Sequence, residues 1–201
     1  MPESPFEKYQ PQDLRDLIGE FPLAWVRAAN GEASLLPLIG LFDPAGRLEQ
    51  LIGHFALSNP LHAALAEDRR ASILFTGPQG YVSPSHAGRR NWGPTWTYAQ
   101  ARMEAEVSIE PDLTPEALDI LIDHVERARP RPWSAEELGP RYDQLIGHIV
   151  GFRARVTSAK ARFKLGQDED LPTLRTILGK LEDPVLVRWM TRFNRARLAI
   201  G

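Results

Sequence analysis

The sequence predicts a mainly-β α+β domain, a small antiparallel barrel with peripheral helices. Three observations predict it. Three short apolar runs between residues 23 and 55 are separated by the turn sequences Asn30-Gly31 and Asp43-Pro-Ala-Gly46. That is a β-meander, not the strand–helix alternation of a doubly wound sheet. Residues 95–109 and 149–158 alternate apolar and polar side chains with period two, as strands with one covered face do. Helical patterns are few and lie around these strands, which brings the expected count to six or seven strands and four or five helices.

Each element has a local cause. Residues 1–12 carry three prolines and no periodicity, and read as an extended arm anchored by Phe6 and Tyr9. Asp13 is placed to cap a helix over 13–19, with Leu14, Leu17 and Ile18 on its apolar face and Gly19 ending it. Strands follow at 23–29, 33–41 and 47–55, with Pro37 marking a bulge or an edge. Asn59-Pro60 starts a helix to about residue 68, as cap and first helical residue. A buried strand at 72–76 ends at Gly77-Pro78, and residues 77–94 form the longest irregular segment, a length that often carries function.

After the strand at 95–109, Thr114-Pro-Glu opens a helix with Leu118, Leu121, Ile122 and Val125 inward, closed by Arg129-Pro130. Residues 130–140 are a Pro-rich linker containing Trp133, and 142–148 one or two helical turns. In the strand at 149–158, Val150, Phe152, Ala154 and Val156 share one face, with Arg153 and Arg155 on the other. Residues 173–181 and 185–198 read as terminal helices.

Composition removes several function classes. The chain has 201 residues, 24 basic and 26 acidic side chains and a net charge of −2, so no global basic field draws in a phosphate backbone. With no cysteine there is no disulfide, thiolate metal site or cysteine nucleophile. His54, His62, His86, His124 and His148 lack metal-ligand spacing. No dinucleotide fingerprint, phosphate-binding loop or serine nucleophile elbow occurs, and no catalytic residue stands out. No apolar run approaches the ~20 residues that span a bilayer. The first residues lack the pattern of a signal peptide, so a cytoplasmic protein is expected.

Three blocks carry a resemblance. They are Gly53-His-Phe-Ala-Leu-Ser-Asn-Pro60; Phe75-Thr-Gly-Pro-Gln-Gly-Tyr-Val-Ser-Pro-Ser85 with Pro94-Thr-Trp-Thr-Tyr98; and Arg162-Phe-Lys-Leu-Gly-Gln167. Pro130-Arg-Pro-Trp133 and Ile149-Val-Gly151 sit at matching places. In order and spacing the chain resembles the PaiB-like FMN-binding family, labelled negative transcriptional regulators, from about Tyr9 to Gln167. The resemblance implies a split antiparallel β-barrel of the pyridoxamine-phosphate oxidase-like kind, an FMN cofactor and a homodimer. It implies a flavin-binding domain over 1–170 and a C-terminal helical extension over 171–201. The sequence departs from the family pattern at Leu35, where a histidine is usual, and at Leu57, where an arginine is usual.

FMN needs cations, hydroxyls or N–H groups for its phosphate and an apolar or aromatic wall for its ring. The candidate flavin-binding residues are His54, Asn59, Tyr81, Ser83, Ser85, Thr95, Trp96, Tyr98, Lys164 and Gln167, with Arg89 as a further cation in the long loop. The resemblance leaves two alternatives to a flavin-binding regulator: a flavin-dependent oxidoreductase on a small substrate, and a member that has lost flavin and binds another ligand. DNA is the remaining candidate partner. Arg188, Arg192 and Arg195, with Arg197 nearby, form the one basic stripe that would meet it.

Overall fold

The computed structural model describes residues 4–199. Six strands close into an antiparallel barrel in the order β1-β2-β3-β6-β5-β4: β1 Leu23–Ala28, β2 Ala33–Phe42, β3 Leu48–Ala56, β4 Arg70–Val82, β5 Thr95–Ile109 and β6 Ile149–Lys164. The helices are α1 Pro11–Glu20, α2 Pro60–Glu67, α3 Pro84–Ala87, α4 Thr114–Glu126, α5 Arg141–Ile146, α6 Leu171–Leu178, α7 Pro184–Phe193 and α8 Arg195–Leu198. The expected antiparallel barrel with peripheral helices is therefore the fold observed.

The chain forms two compact units. One comprises residues 10–75 and 101–160. Its core is the barrel interior of β1, β2, β3 and the first halves of β4 and β6, with Leu38, Leu51, Phe55, Ile73, Phe75 and Phe152 buried. Phe55 stacks on Phe152 with ring centroids 5.0 Å apart. On the outer side of β3, Ile52 packs with Leu113 and Ala117 of the α4 region. The other unit comprises residues up to 9, 76–100 and 161 onward. Its centre is Phe163, stacked on Phe193 at 4.6 Å and on Trp189 at 6.1 Å, with Tyr9 tilted against it at 5.5 Å.

Several local expectations change. The helix over 13–19 begins earlier, at Pro11: Gln10 is the cap, and Asp13 stands at the third helical position, its carboxylate accepting from the Gln10 N–H at 2.8 Å. Leu14, Leu17 and Ile18 are buried as expected. Pro37 makes neither bulge nor edge. It pairs with Leu23, the first residue of β1, and lies just before the β2–β3 ladder begins at Leu38, so its missing N–H falls where the ladders end. The register shift in β2 is instead between Leu41 and Phe42.

The irregular segment is shorter than expected. β4 continues to Val82, and α3 follows a cap at Ser83. β6 runs on to Lys164. In both strands the covered face changes: from Phe75 to Pro78 and Val82 in β4, and from residues 150, 152 and 154 to 161 and 163 in β6. A change of covered face erases the period-two signal, which is why the strands looked short. Val125 is exposed on α4, where Ala117 and Ile122 hold the covered positions. The last expected helix is broken at Asn194, which separates α7 from α8.

Candidate functional site

The candidate residues fall into both units. His54 and Asn59 lie in the unit built on β1–β3, and the other eight in the unit built around Phe163.

In the second unit, β5 alternates so that Thr97 and Ala99 are buried while Trp96 and Tyr98 point the other way. Trp96 is 58% exposed and Tyr81, from the end of β4, 47% exposed. Their rings sit 5.9 Å apart at 58°. This is an aromatic surface open to a planar ligand. Lys164 ends β6 half-buried. Its carbonyl accepts from the Thr97 hydroxyl at 3.1 Å, and its ammonium donates to the Thr95 hydroxyl. An ammonium has three protons, so two remain for another acceptor.

The remaining polar candidates are engaged within the chain. The Ser83 hydroxyl caps α3, accepting from the Ser85 N–H at 3.2 Å and the Ser85 hydroxyl at 2.9 Å. The Gln167 side chain closes its own turn, accepting from the Leu165 N–H and donating to the Phe163 carbonyl, both at 2.7 Å. Arg89 pairs with Asp170 at 3.3 Å across an exposed surface, and the Trp92 indole N–H donates to Glu169 at 3.1 Å. The Asp170 carboxyl is held below its ordinary pKa by the Thr173 N–H it caps and, less strongly, by Arg89.

In the first unit, Asn59 accepts from the Leu61 N–H and the Ser34 hydroxyl, both at 3.0 Å, and so serves as the cap of α2. His54 differs. Its Nδ1 is buried with no hydrogen-bond partner, and burial lowers its pKa, so the ring is neutral at pH 7. Leu35 and Leu57 are 45% and 46% exposed, so neither is a core residue. Leu35 lies opposite Trp25, itself exposed.

This unit also contains a concavity of about 600 Å³ lined by Asp119, Asp123, Glu136, Asp143 and Tyr142, and none of the candidate residues lines it. Burial and the carboxylates of Asp119 and Asp143 raise the Tyr142 pKa. Among the described residues no group of three metal-ligating side chains converges. No helix among them is long and apolar enough to cross a membrane.

Sequence reasoning missed the engagement of Gln167 and the role of Arg197. Arg197 looked like part of an exposed stripe, but its guanidinium turns inward to the 166–169 turn. Arg192 lies over the Trp189 ring at 5.3 Å.

A closed six-stranded antiparallel barrel with peripheral helices, carrying an exposed aromatic pair and a half-buried lysine, defines a small β-barrel protein. The chain belongs to the family described as "Putative FMN-binding domain", whose model matches residues 1–158. The resemblance read from the sequence is thus borne out, and FMN is the cofactor the family supports. Over 135 residues the chain is 30% identical to the protease synthase and sporulation protein PAI 2 of Bacillus subtilis, covering 66% of this chain. The chain spans 65% of that relative's length. Among solved structures it is similar to the FAD and heme binding protein from Mycobacterium smegmatis, with TM-score 0.54, 18% identity, and 87% and 80% of the two chains covered. It is also similar to the flavocytochrome Anf3 from Azotobacter vinelandii, with TM-score 0.53, 16% identity, and 82% and 77% covered. These two likenesses speak to the fold.

Proposed function

We propose that the protein binds FMN, with Lys164 and Thr95 holding the phosphate and Tyr81, Trp96 and Tyr98 offering the wall for the ring. One observation carries this reading. Lys164 is half-buried, tethered to Thr95, and keeps two donors in the same unit as the exposed Tyr81–Trp96 pair. The donor set suits the group: a dianionic phosphate takes charge-assisted bonds from an ammonium and a hydroxyl, and a flavin ring takes aromatic contacts. Bound FMN would supply one- and two-electron redox chemistry.

In this reading the protein is a cytoplasmic, PaiB-like regulator. Residues 1–170 are assigned to its flavin-binding domain and 171–201 to a helical extension, of which residues 1–3, 200 and 201 lie outside the described residues. It works as a homodimer, which the exposed Leu23, Trp25 and Leu35 on β1 and β2 support as an apolar patch. Such an interface should bury more than ~1,000 Å² in total, and a monomer in sedimentation at micromolar concentration would count against it. Regulation by direct DNA contact would use the exposed Arg188 and Arg195. It predicts a salt-dependent gel shift that disappears when both are changed.

The cofactor test is a fluorescence titration with FMN. Lys164→Ala should weaken binding by about 1.5–3 kcal/mol, roughly 10- to 150-fold, through loss of a charge-assisted bond. Unchanged affinity in a folded variant would refute the role of Lys164. A wild-type chain that takes up no FMN would refute the flavin reading.

A further inference from the structure

We propose that Arg197, on the terminal helix α8, is a positioning residue that sets the turn after Lys164 and thereby the protein's preference for phosphorylated over unphosphorylated flavin. The proposal rests on the flavin reading above.

Residues 165–169 are held from within and from outside: the Glu169 N–H donates to the Gly166 carbonyl at 3.2 Å and the Leu165 N–H to the Gln167 side chain, while side chains of the C-terminal helices act on the turn's carbonyls. The Asn194 amide, 1% exposed, donates to the Leu165 carbonyl at 2.9 Å and to Met190 at 2.8 Å. One nitrogen of the Arg197 guanidinium donates to the Gly166 carbonyl at 3.3 Å, to Gln167 at 3.1 Å and to the Asn194 side-chain oxygen at 2.8 Å. The other donates to the Glu169 carbonyl. Four carbonyls of one turn therefore point at one Asn–Arg pair.

Gly166 makes the approach feasible. It sits at φ +86°, and a Cβ there would meet Leu174 at 3.0 Å and Met190 at 3.2 Å. In a trans peptide the N–H points opposite to its carbonyl. Holding the Leu165, Gly166 and Gln167 carbonyls thus turns the N–H groups of Gly166, Gln167 and Asp168 away from the guanidinium. The same turn ends in Glu169 and Asp170, which tether Trp92 and Arg89 of the 88–94 loop. Lys180 of the C-terminal segment donates to the Ser85 carbonyl at 2.8 Å. The C-terminal helices thus fix both segments in which phosphate donors were expected.

A lysine cannot replace this arrangement. The guanidinium is a rigid planar fork that reaches several acceptors at once, whereas an ammonium is a point charge on a flexible stem. Without the fork, a phosphate at Lys164 would bind only after ordering the turn, and affinity falls by the cost of that ordering.

The test compares wild type, Arg197→Ala and Arg197→Lys, each checked by thermal melt, in two measurements. In titrations with FMN and with riboflavin, both variants should lose FMN affinity roughly ten-fold while riboflavin affinity stays put, so the FMN-to-riboflavin ratio narrows. In amide hydrogen exchange, the Leu165 and Glu169 amides should exchange at least ten-fold faster in both variants, while β3 keeps its protection. An unchanged ratio or unchanged exchange in the variants overturns the proposal and leaves the flavin reading standing. Full recovery by Arg197→Lys also overturns it, because charge alone would then explain the effect. A wild-type chain that does not bind FMN overturns both.

Discussion

Gly151, in one of the segments that carry the family resemblance, is a structural glycine, and its partner Thr114 allows that to be tested. The Gly151 N–H is buried and donates to the Thr114 hydroxyl at 2.9 Å. That hydroxyl donates in turn to the Pro111 carbonyl at 2.6 Å. Thr114→Val keeps the shape and removes both bonds. The orphaned N–H costs about 1–3 kcal/mol, and the extra apolar atom returns at most about 0.8 kcal/mol. The Pro111 carbonyl also loses its donor, so the net loss is about 1–2 kcal/mol, which lowers Tm by roughly 2–8 °C in a chain of this size. Thr114→Ser keeps both bonds and loses one methyl, about 0.8 kcal/mol.

The assay is urea unfolding of the three proteins at pH 7, with amide exchange at Gly151 as the local readout. Gly151 should stay protected in the serine variant and exchange fast in the valine variant. Gly151→Ala should cost about 1–3 kcal/mol by overpacking, because its Cβ would lie 2.9 Å from the Thr114 nitrogen and 3.0 Å from the Leu113 carbonyl carbon, backbone that cannot give way. A valine variant within 0.5 kcal/mol of wild type, or more stable than the serine variant, would show the hydrogen-bond reasoning to be wrong.

Two further outcomes are expected. Leu35 and Leu57 are exposed on the single chain, so the double variant Leu35→His, Leu57→Arg should still fold cooperatively in a thermal melt, with Leu35→His weakening the dimer in sedimentation; it should bind FMN more tightly, and no gain in a flavin titration would mean the leucines do not limit the site. Burial holds the His54 imidazole below its ordinary pKa, so the unfolded chain takes up a proton as pH falls below about 6.5 while the folded chain does not. Stability present above that pH therefore declines below it, and His54→Gln should flatten the decline in urea midpoints measured from pH 8 to pH 5; an equal slope in both proteins would contradict it.

The sequence by itself determined the antiparallel meander, the strand at 95–109, the cap at Asn59 and the buried face of the first helix. These depend on near neighbours in the chain: a turn dipeptide, a capping side chain, an apolar period. The family was legible too, because its motifs keep their residues in order along the chain. Tertiary structure decided the rest. β6 looked as if it ended near Ser158 because its covered face changes before Ala161, and only the helices packed on Phe163 explain why it continues. Gln167 and Lys164 are three residues apart and looked alike as phosphate donors. Folding engages the Gln167 amide with the Leu165 and Phe163 backbone and leaves the Lys164 ammonium with two donors to give. Arg197 read as a neighbour of the basic stripe on the last helix, yet its guanidinium is the anchor of a turn about thirty residues earlier. No local pattern encodes that choice, because which hydrogen bonds a side chain makes depends on which carbonyls the fold brings within hydrogen-bonding reach of it, and those come from distant parts of the chain.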